Sequence, residues 1–111
     1  PQELHIASGE IKILSTYVAT EPLFHEGYDL IPRSSLPLKT GLIMANGYGL
    51  IDPNYRGNLG LIVMATKDIT IPKNTRIAQL VMPDRKPFTF EQVSQLSASD
   101  RGEKGFGSSG N

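Results

Sequence analysis

The 111-residue chain contains no cysteine and no tryptophan. Without thiols it can form no disulfide, no thiolate metal site and no cysteine nucleophile. Its only histidines, His5 and His25, are scattered, which leaves little for a zinc centre. Charge of one sign is lacking as well, because eleven basic and eleven acidic residues cancel. No basic run marks a duplex-binding surface and no polybasic arm marks a membrane surface, so neither nucleic acid nor membrane is an expected partner. No signal peptide is visible and no apolar run has the length to span a bilayer, so an intracellular location is expected. A few placed arginines can still hold a phosphate-bearing small molecule without any net charge.

What the chain has in plenty is punctuation. Eight prolines and eleven glycines cut it into short pieces and argue against long helices. Its length suits one small domain, and a chain so short and so interrupted leans on neighbouring copies to bury apolar faces. The turn Gly9-Glu10 opens a predicted strand over 11–20, broken by Glu21-Pro22. A short apolar stretch over 28–31 stops at Pro32. Arg33-Ser34-Ser35-Leu36 then lies between Pro32 and Pro37, room for a tight turn or a single helical turn. Residues 41–45 read as a strand, Asn46-Gly47-Tyr48-Gly49 as hairpin chemistry, and Leu50-Ile51 as the returning strand. The continuous apolar run over 59–65 suits a strand buried on both faces. Strands follow over 69–71 and 76–82, with a weaker one over 88–96. The reading is all-β, a domain of many short strands over 1–96. Residues 97–111 are polar and glycine-rich, which predicts a mobile tail.

Four clusters are richer in polar and glycine residues than a plain β-core needs. Arg33, Ser34 and Ser35 on an exposed turn suit phosphate oxygens, although a solvated surface turn is the plainer reading. In 46–57, the glycines beside Asn46 let backbone approach a flat ligand. Asp52 emerges from a strand end, a good place for a general base and an equally good place for an Asx turn before Pro53-Asn54. Tyr55 is a platform under a sugar or a core residue. Gln79, in Arg76-Ile77-Ala78-Gln79-Leu80, holds a ligand or faces solvent. In the tail, Phe106 could stack on a base while Arg101, Ser108 and Ser109 take phosphate; composition alone favours an idle end.

Order and spacing carry more than any one cluster. Arg33-Ser34-Ser35-Leu36, Gly49-Leu50-Ile51-Asp52 with Tyr55-Arg56-Gly57, Arg76-Ile77-Ala78-Gln79-Leu80, and Arg101-Gly102 with Gly105-Phe106-Gly107-Ser108-Ser109-Gly110 resemble four of the five motifs of trimeric dUTPases, in the family order. The resemblance implies a small distorted jelly-roll or β-clip barrel of short strands that assembles as a homotrimer with shared active sites. It implies dUTP as substrate, dUMP and pyrophosphate as products, and magnesium carried on the triphosphate. By the same resemblance, Asp52 activates the attacking water and Tyr55 lies under the deoxyribose. Asn46 and Gly49 belong to the uracil pocket, and Arg33, Ser34, Ser35 and Gln79 hold the phosphate chain. Arg101, Phe106, Gly107, Ser108 and Ser109 belong to a tail that a neighbouring subunit closes over base and terminal phosphate.

One family motif is not found. An Ala-Gly-x-Asp-Leu type segment is expected further upstream of Arg33 than the thirty-two residues present. Glu26-Gly27-Tyr28-Asp29-Leu30 looks similar but abuts Pro32-Arg33, so it reads as the strand leading into the Arg-Ser-Ser turn. A truncated chain is the expected cause, and a nucleotide-binding regulatory module that does not turn over is the alternative. The related dCTP deaminases share the Arg-Ser-Ser and Ile51-Asp52-Pro53 stretches. Deamination needs a glutamate in the strand after the Asp-Pro turn, and the run over 59–65 holds no acid.

Overall fold

In a computed structural model, residues 3–23, 26–87, 89–99 and 101–105 are described. They form eight strands and one short helix: β1 (Leu4–Ile6), β2 (Ile11–Ser15), β3 (Tyr28–Pro32), α1 (Leu36–Thr40), β4 (Leu42–Met44), β5 (Gly49–Ile51), β6 (Gly60–Ala65), β7 (Ile69–Ile71) and β8 (Ala78–Val81). The strands make three small sheets, ordered β1-β7, β2-β6-β4 and β5-β3-β8, with every pair antiparallel. The fold is all-β, as the strand-rich sequence predicts. One core joins the sheets, built from Ile6, Leu14, Leu30, Leu36, Leu42, Leu61, Val63 and their neighbours.

Several local expectations need correction. The strand predicted over 11–20 ends at Ser15. Tyr17 takes a left-handed φ of 58°, and the Ser15 and Thr16 hydroxyls accept the Tyr17 and Val18 N–H groups, diverting backbone donors from the ladder. Asn46-Gly47 does form a turn, with Gly47 at φ 79°, but not a hairpin. β4 pairs with β6 while β5 pairs with β3, so this turn carries the chain from one sheet to another. The helix begins at Leu36 and runs through Pro37 rather than lying between the prolines. Proline is harmless in a first helical turn, where its missing N–H has no partner to lose, and Gly41 at φ 77° ends the helix. The described part of 88–96 forms no strand, and Phe90 and Val93 are exposed. β1 was not foreseen. It is only three residues long and is stabilised by β7, sixty-odd residues downstream.

β6 alternates buried and half-buried residues instead of being covered on both faces. Leu61, Val63 and Ala65 point into the core together with Leu14, Leu42 and Met44. The other face of the same sheet carries Ile11, Ile13, Ile43, Ile62 and Met64, since Ile11 and Ile43 both pair with Met64 and Ile13 pairs with Ile62. Ile11 and Ile13 are each about 60% exposed in the single chain, at 61% and 62%. An outward sheet face made of five apolar side chains is unusual for a monomer surface.

Candidate active site

β3 organises the polar clusters. Tyr28 at its start lies opposite Ile51, the last residue of β5, so Asp52 emerges beside Gly27. A Cβ at Gly27 would lie 3.0 Å from the Ile51 carbonyl oxygen, so the chain can run this close only without a side chain there. Pro32 at the other end of β3 pairs with Ala78. Arg33 follows it, and its guanidinium Nη1 donates to the Arg76 carbonyl at 3.3 Å. Gln79 Nε2 donates to the Pro32 carbonyl at 3.4 Å. The Ser34-Ser35 turn comes next, and the Ser35 side chain makes no capping hydrogen bond to α1. Arg33, Ser34, Ser35 and Gln79 therefore sit around one end of β3, and Asp29 lies within the strand that leads to them.

The second cluster surrounds Asp52. A cavity of about 410 Å³ is lined by Asn46, Tyr48, Gly49, Leu50, Ile51, Asp52, Tyr55, Gly60, Arg101 and Gly105. The turn-forming reading of Asp52 is met. Oδ1 accepts the Asn54 N–H at 2.7 Å, which makes the Asx turn, and Oδ2 meets Arg101 Nη1 at 3.3 Å. Tyr55 Oη donates to the Asn58 carbonyl at 2.7 Å, which fixes its ring. The Arg101 guanidinium lies 5.6 Å from the centre of that ring, within cation–π range. A Cβ on Gly57 would fall 2.5 Å from Tyr55 Oη, so glycine at 57 is what lets the tyrosine lie where it does.

The first part of the tail lies over this turn in the single chain. Arg56 N–H donates to the Gly102 carbonyl at 2.6 Å, and Tyr55 forms a parallel bridge with Gly102. Arg101 Nη2 and Nε donate to the Gly105 and Lys104 carbonyls, at 3.2 Å and 2.8 Å. Phe106, Gly107, Ser108 and Ser109 lie outside the described residues. Asn46, Gly49, Asp52, Tyr55 and Arg101 are thus brought together, while Arg33, Ser34, Ser35 and Gln79 form a separate group. Gly27 and Arg33 flank the five residues of β3, six steps that span roughly 20 Å at ~3.3 Å per strand residue. Tyr48 and Leu50 also line the cavity. Their exposure, 54% and 75%, is the trace of this role, and sequence pattern alone reads them only as turn and strand residues.

Comparison with known proteins bears on what such a cavity is for. The dUTPase family model matches residues 1–110. The deoxyuridine 5'-triphosphate nucleotidohydrolase of Rickettsia akari is 36% identical, across 98% of this chain and 75% of that protein. Its counterpart from Clostridioides difficile is 37% identical, across 98% of this chain and 78% of that protein. The chain belongs to the dUTPase family. Solved dUTPases share the fold. That of Streptococcus mutans superposes with a TM-score of 0.66 at 26% identity, over 83% of this chain and 76% of that one. The dUTPase of Staphylococcus bacteriophage 80alpha in complex with dUPNHPP gives 0.63 at 29% identity, over 99% of this chain and 82% of that one. Membership of the dUTPase family agrees with the all-β architecture.

Among the described residues, no group of three or more His, Asp or Glu side chains could hold a metal ion. The cavity's one carboxylate is Asp52, already committed to Asn54 and Arg101. The described residues do not form a resident magnesium site. No helix among them is long and apolar enough to cross a membrane.

Proposed function

We propose that the chain is a dUTP diphosphatase, hydrolysing dUTP to dUMP and pyrophosphate in the Asp52 cavity. The observation that carries this reading is the meeting of Asn46, Asp52, Tyr55 and Arg101 in one cavity of a dUTPase-family chain. Asn46 and the Gly49 backbone offer amide groups to the uracil edge. A pocket whose wall is main chain leaves no room for a methyl on the base, which rejects dTTP. Tyr55, held by Asn58, is a fixed floor for the deoxyribose and leaves no room for a 2′-hydroxyl.

Water attacks the α-phosphorus in line with the leaving pyrophosphate. A water O–P bond forms, the bond from the α-phosphorus to the bridging oxygen breaks, and Asp52 takes the water's proton. Arg101 leaves Asp52 for the terminal phosphate when substrate enters, freeing Oδ2 to face the water. Oδ1 keeps the Asn54 N–H and holds the carboxylate in orientation. Magnesium arrives on the triphosphate as part of the substrate, a mode suited to a cation usually held by phosphates and few protein groups. Phe106, Gly107, Ser108 and Ser109 complete the closure over base and phosphates, so that residues 97–111 act as a lid on the 1–96 domain.

The complete site takes residues from more than one copy. A triphosphate cannot reach from Asp52 to an Arg33 group roughly 20 Å away along β3. The homotrimer implied by the family motifs resolves this by setting one chain's Arg33, Ser34, Ser35 and Gln79 beside another's Asp52. The apolar outer face of β2, β6 and β4 is a surface suited to such packing.

Pyrophosphate release measured with dUTP, dCTP, dTTP and UTP tests the assignment. Release from dUTP alone is expected; equal release from dCTP overturns the pocket reading, and tight dUTP binding without release identifies a nucleotide-binding module instead. The Tyr55 floor has its own test. Gly57→Ala pushes the tyrosine ring away and is expected to raise KM for dUTP about tenfold while narrowing the preference for dUTP over UTP. An unchanged ratio of kcat/KM for the two nucleotides would remove Tyr55 from sugar selection.

A further inference from the structure

Two residues outside the cavity hold the tail against it. Glu21 follows the irregular segment after β2, and Arg56 follows the Asp52 turn. Glu21 Oε1 accepts the Ser97 N–H at 2.6 Å, while Arg56 Nε donates to the Ser97 carbonyl at 2.9 Å. Both main-chain groups of one tail residue are thereby taken up by opposite charges whose side chains lie 3.8 Å apart. The arginine is fixed from the other side, since its Nη1 donates to the Pro53 carbonyl at 2.7 Å. Its side chain is 13% exposed and that of Glu21 30%, so the pair is not a loose surface contact. Two residues on, the Ser99 hydroxyl donates to the Asn54 carbonyl and accepts the Gly102 N–H.

We infer that Glu21 and Arg56 are positioning residues that seat the root of the tail on the Asp52 turn and so deliver Arg101 to the cavity. Neither lines the cavity. Arg101 comes four positions after the gripped Ser97, close enough that fixing one restricts the other. Restricting the tail root raises the local concentration of its arginine at the phosphates, the same gain that any tether gives. The seat takes a tail in this geometry whether one chain or a neighbouring copy supplies it. The inference rests on the dUTP reading for its kinetic consequence, whereas the seat itself does not depend on it.

The grip has a pH signature. The Ser97 hydrogen bonds hold the Glu21 carboxyl below the usual glutamate value of 4.5, against a smaller opposing effect of desolvation, and the Arg56 charge adds least. A depressed carboxylate stabilises its contact fully above about pH 4.5 and loses it as pH falls through the lowered value. The charged side chain facing it is Arg56, which stays protonated throughout.

The test combines kinetics with amide hydrogen exchange in the full chain. Glu21→Ala is expected to raise KM for dUTP about tenfold, the scale of a lost charged hydrogen bond, with a smaller change in kcat. Glu21→Gln, whose amide oxygen can still accept the Ser97 N–H, is expected to recover part of the loss. In an Arg101→Ala background, Glu21→Ala should cost nothing further, because the group it positions is gone. Equal costs in both backgrounds overturn the inference and leave Glu21 a folding residue. Without nucleotide, exchange at the Ser97 and Gly102 amides, taken relative to the intrinsic rate at the same pH, should quicken in Glu21→Ala, and at low pH in the unaltered chain. Unchanged exchange overturns the seat. Quickened exchange in a protein that never hydrolyses dUTP supports the seat and overturns the dUTP reading.

Discussion

Asp52→Asn lowers kcat for dUTP hydrolysis by about 10²–10⁴-fold, the range for losing a positioned general base. Binding of dUTP is expected to persist. The asparagine side chain keeps an oxygen that can accept the Asn54 N–H, so the Asx turn that sets Tyr55 and Arg56 survives. What is lost is the second carboxylate oxygen, Oδ2, which now faces Arg101 and in the substrate complex faces water. An amide cannot take a proton from water at neutral pH. Charge loss also frees Arg101 from its partner in the empty site. The double effect gives a recognisable pattern: kcat falls steeply while KM stays level or drops. Titration of dUTP into the variant, beside steady-state pyrophosphate release, reads both quantities. A variant that retains more than about a tenth of the original kcat would contradict the assignment of Asp52 as base.

Two chains that are inactive for different reasons restore each other. On the proposed reading, Arg33→Ala removes a phosphate ligand at the end of β3, and Asp52→Asn removes the base at the other end. If each site takes Arg33 from one copy and Asp52 from the next, mixed assemblies contain some sites with both groups intact. Random assortment in a closed ring gives about one quarter of the sites the right pair, so about one quarter of the original activity returns on mixing equal amounts. A chain that builds its sites alone gives no recovery at any ratio. The physical ground is the register of β3, which places Gly27 beside Asp52 and Pro32 beside Ala78. No side-chain rearrangement shortens a paired strand. Size-exclusion and light-scattering measurements on Ile13→Asp supply the companion reading. A charge on the apolar outer face of β2 should release monomers if that face is an interface between copies.

The strand-rich character of the fold was legible because its signals are local. Prolines and glycines limit element length, and a short apolar run such as 59–65 suits a buried strand. The partners of those strands were not legible. Asn46-Gly47 carries hairpin chemistry, yet the strands on either side join different sheets. A turn sequence specifies the bend and not what the outgoing strand then meets. The 88–96 segment shows the reverse failure. Its apolar residues suit a strand, but its described residues form none, and Phe90 and Val93 stay exposed. The stop at Ser15 depended on two hydroxyls competing for backbone donors, a contest that propensity alone does not decide.

The candidate site divides in the same way. Motif order alone named Asn46, Asp52, Tyr55 and Arg101, because residue identity at fixed spacing is a property of the chain. Sequence also determined that no cysteine thiol chemistry operates in this chain. Only the tertiary structure decided that Arg101 rests on Asp52, that Gly57 makes room for Tyr55, and that Glu21 and Arg56 hold the tail between them. It alone separated the Arg33 group from the Asp52 cavity. Apart from the local approach of Gly57 and Tyr55, such facts depend on strand register and on contacts between residues forty or more positions apart, and nothing in a local pattern encodes them.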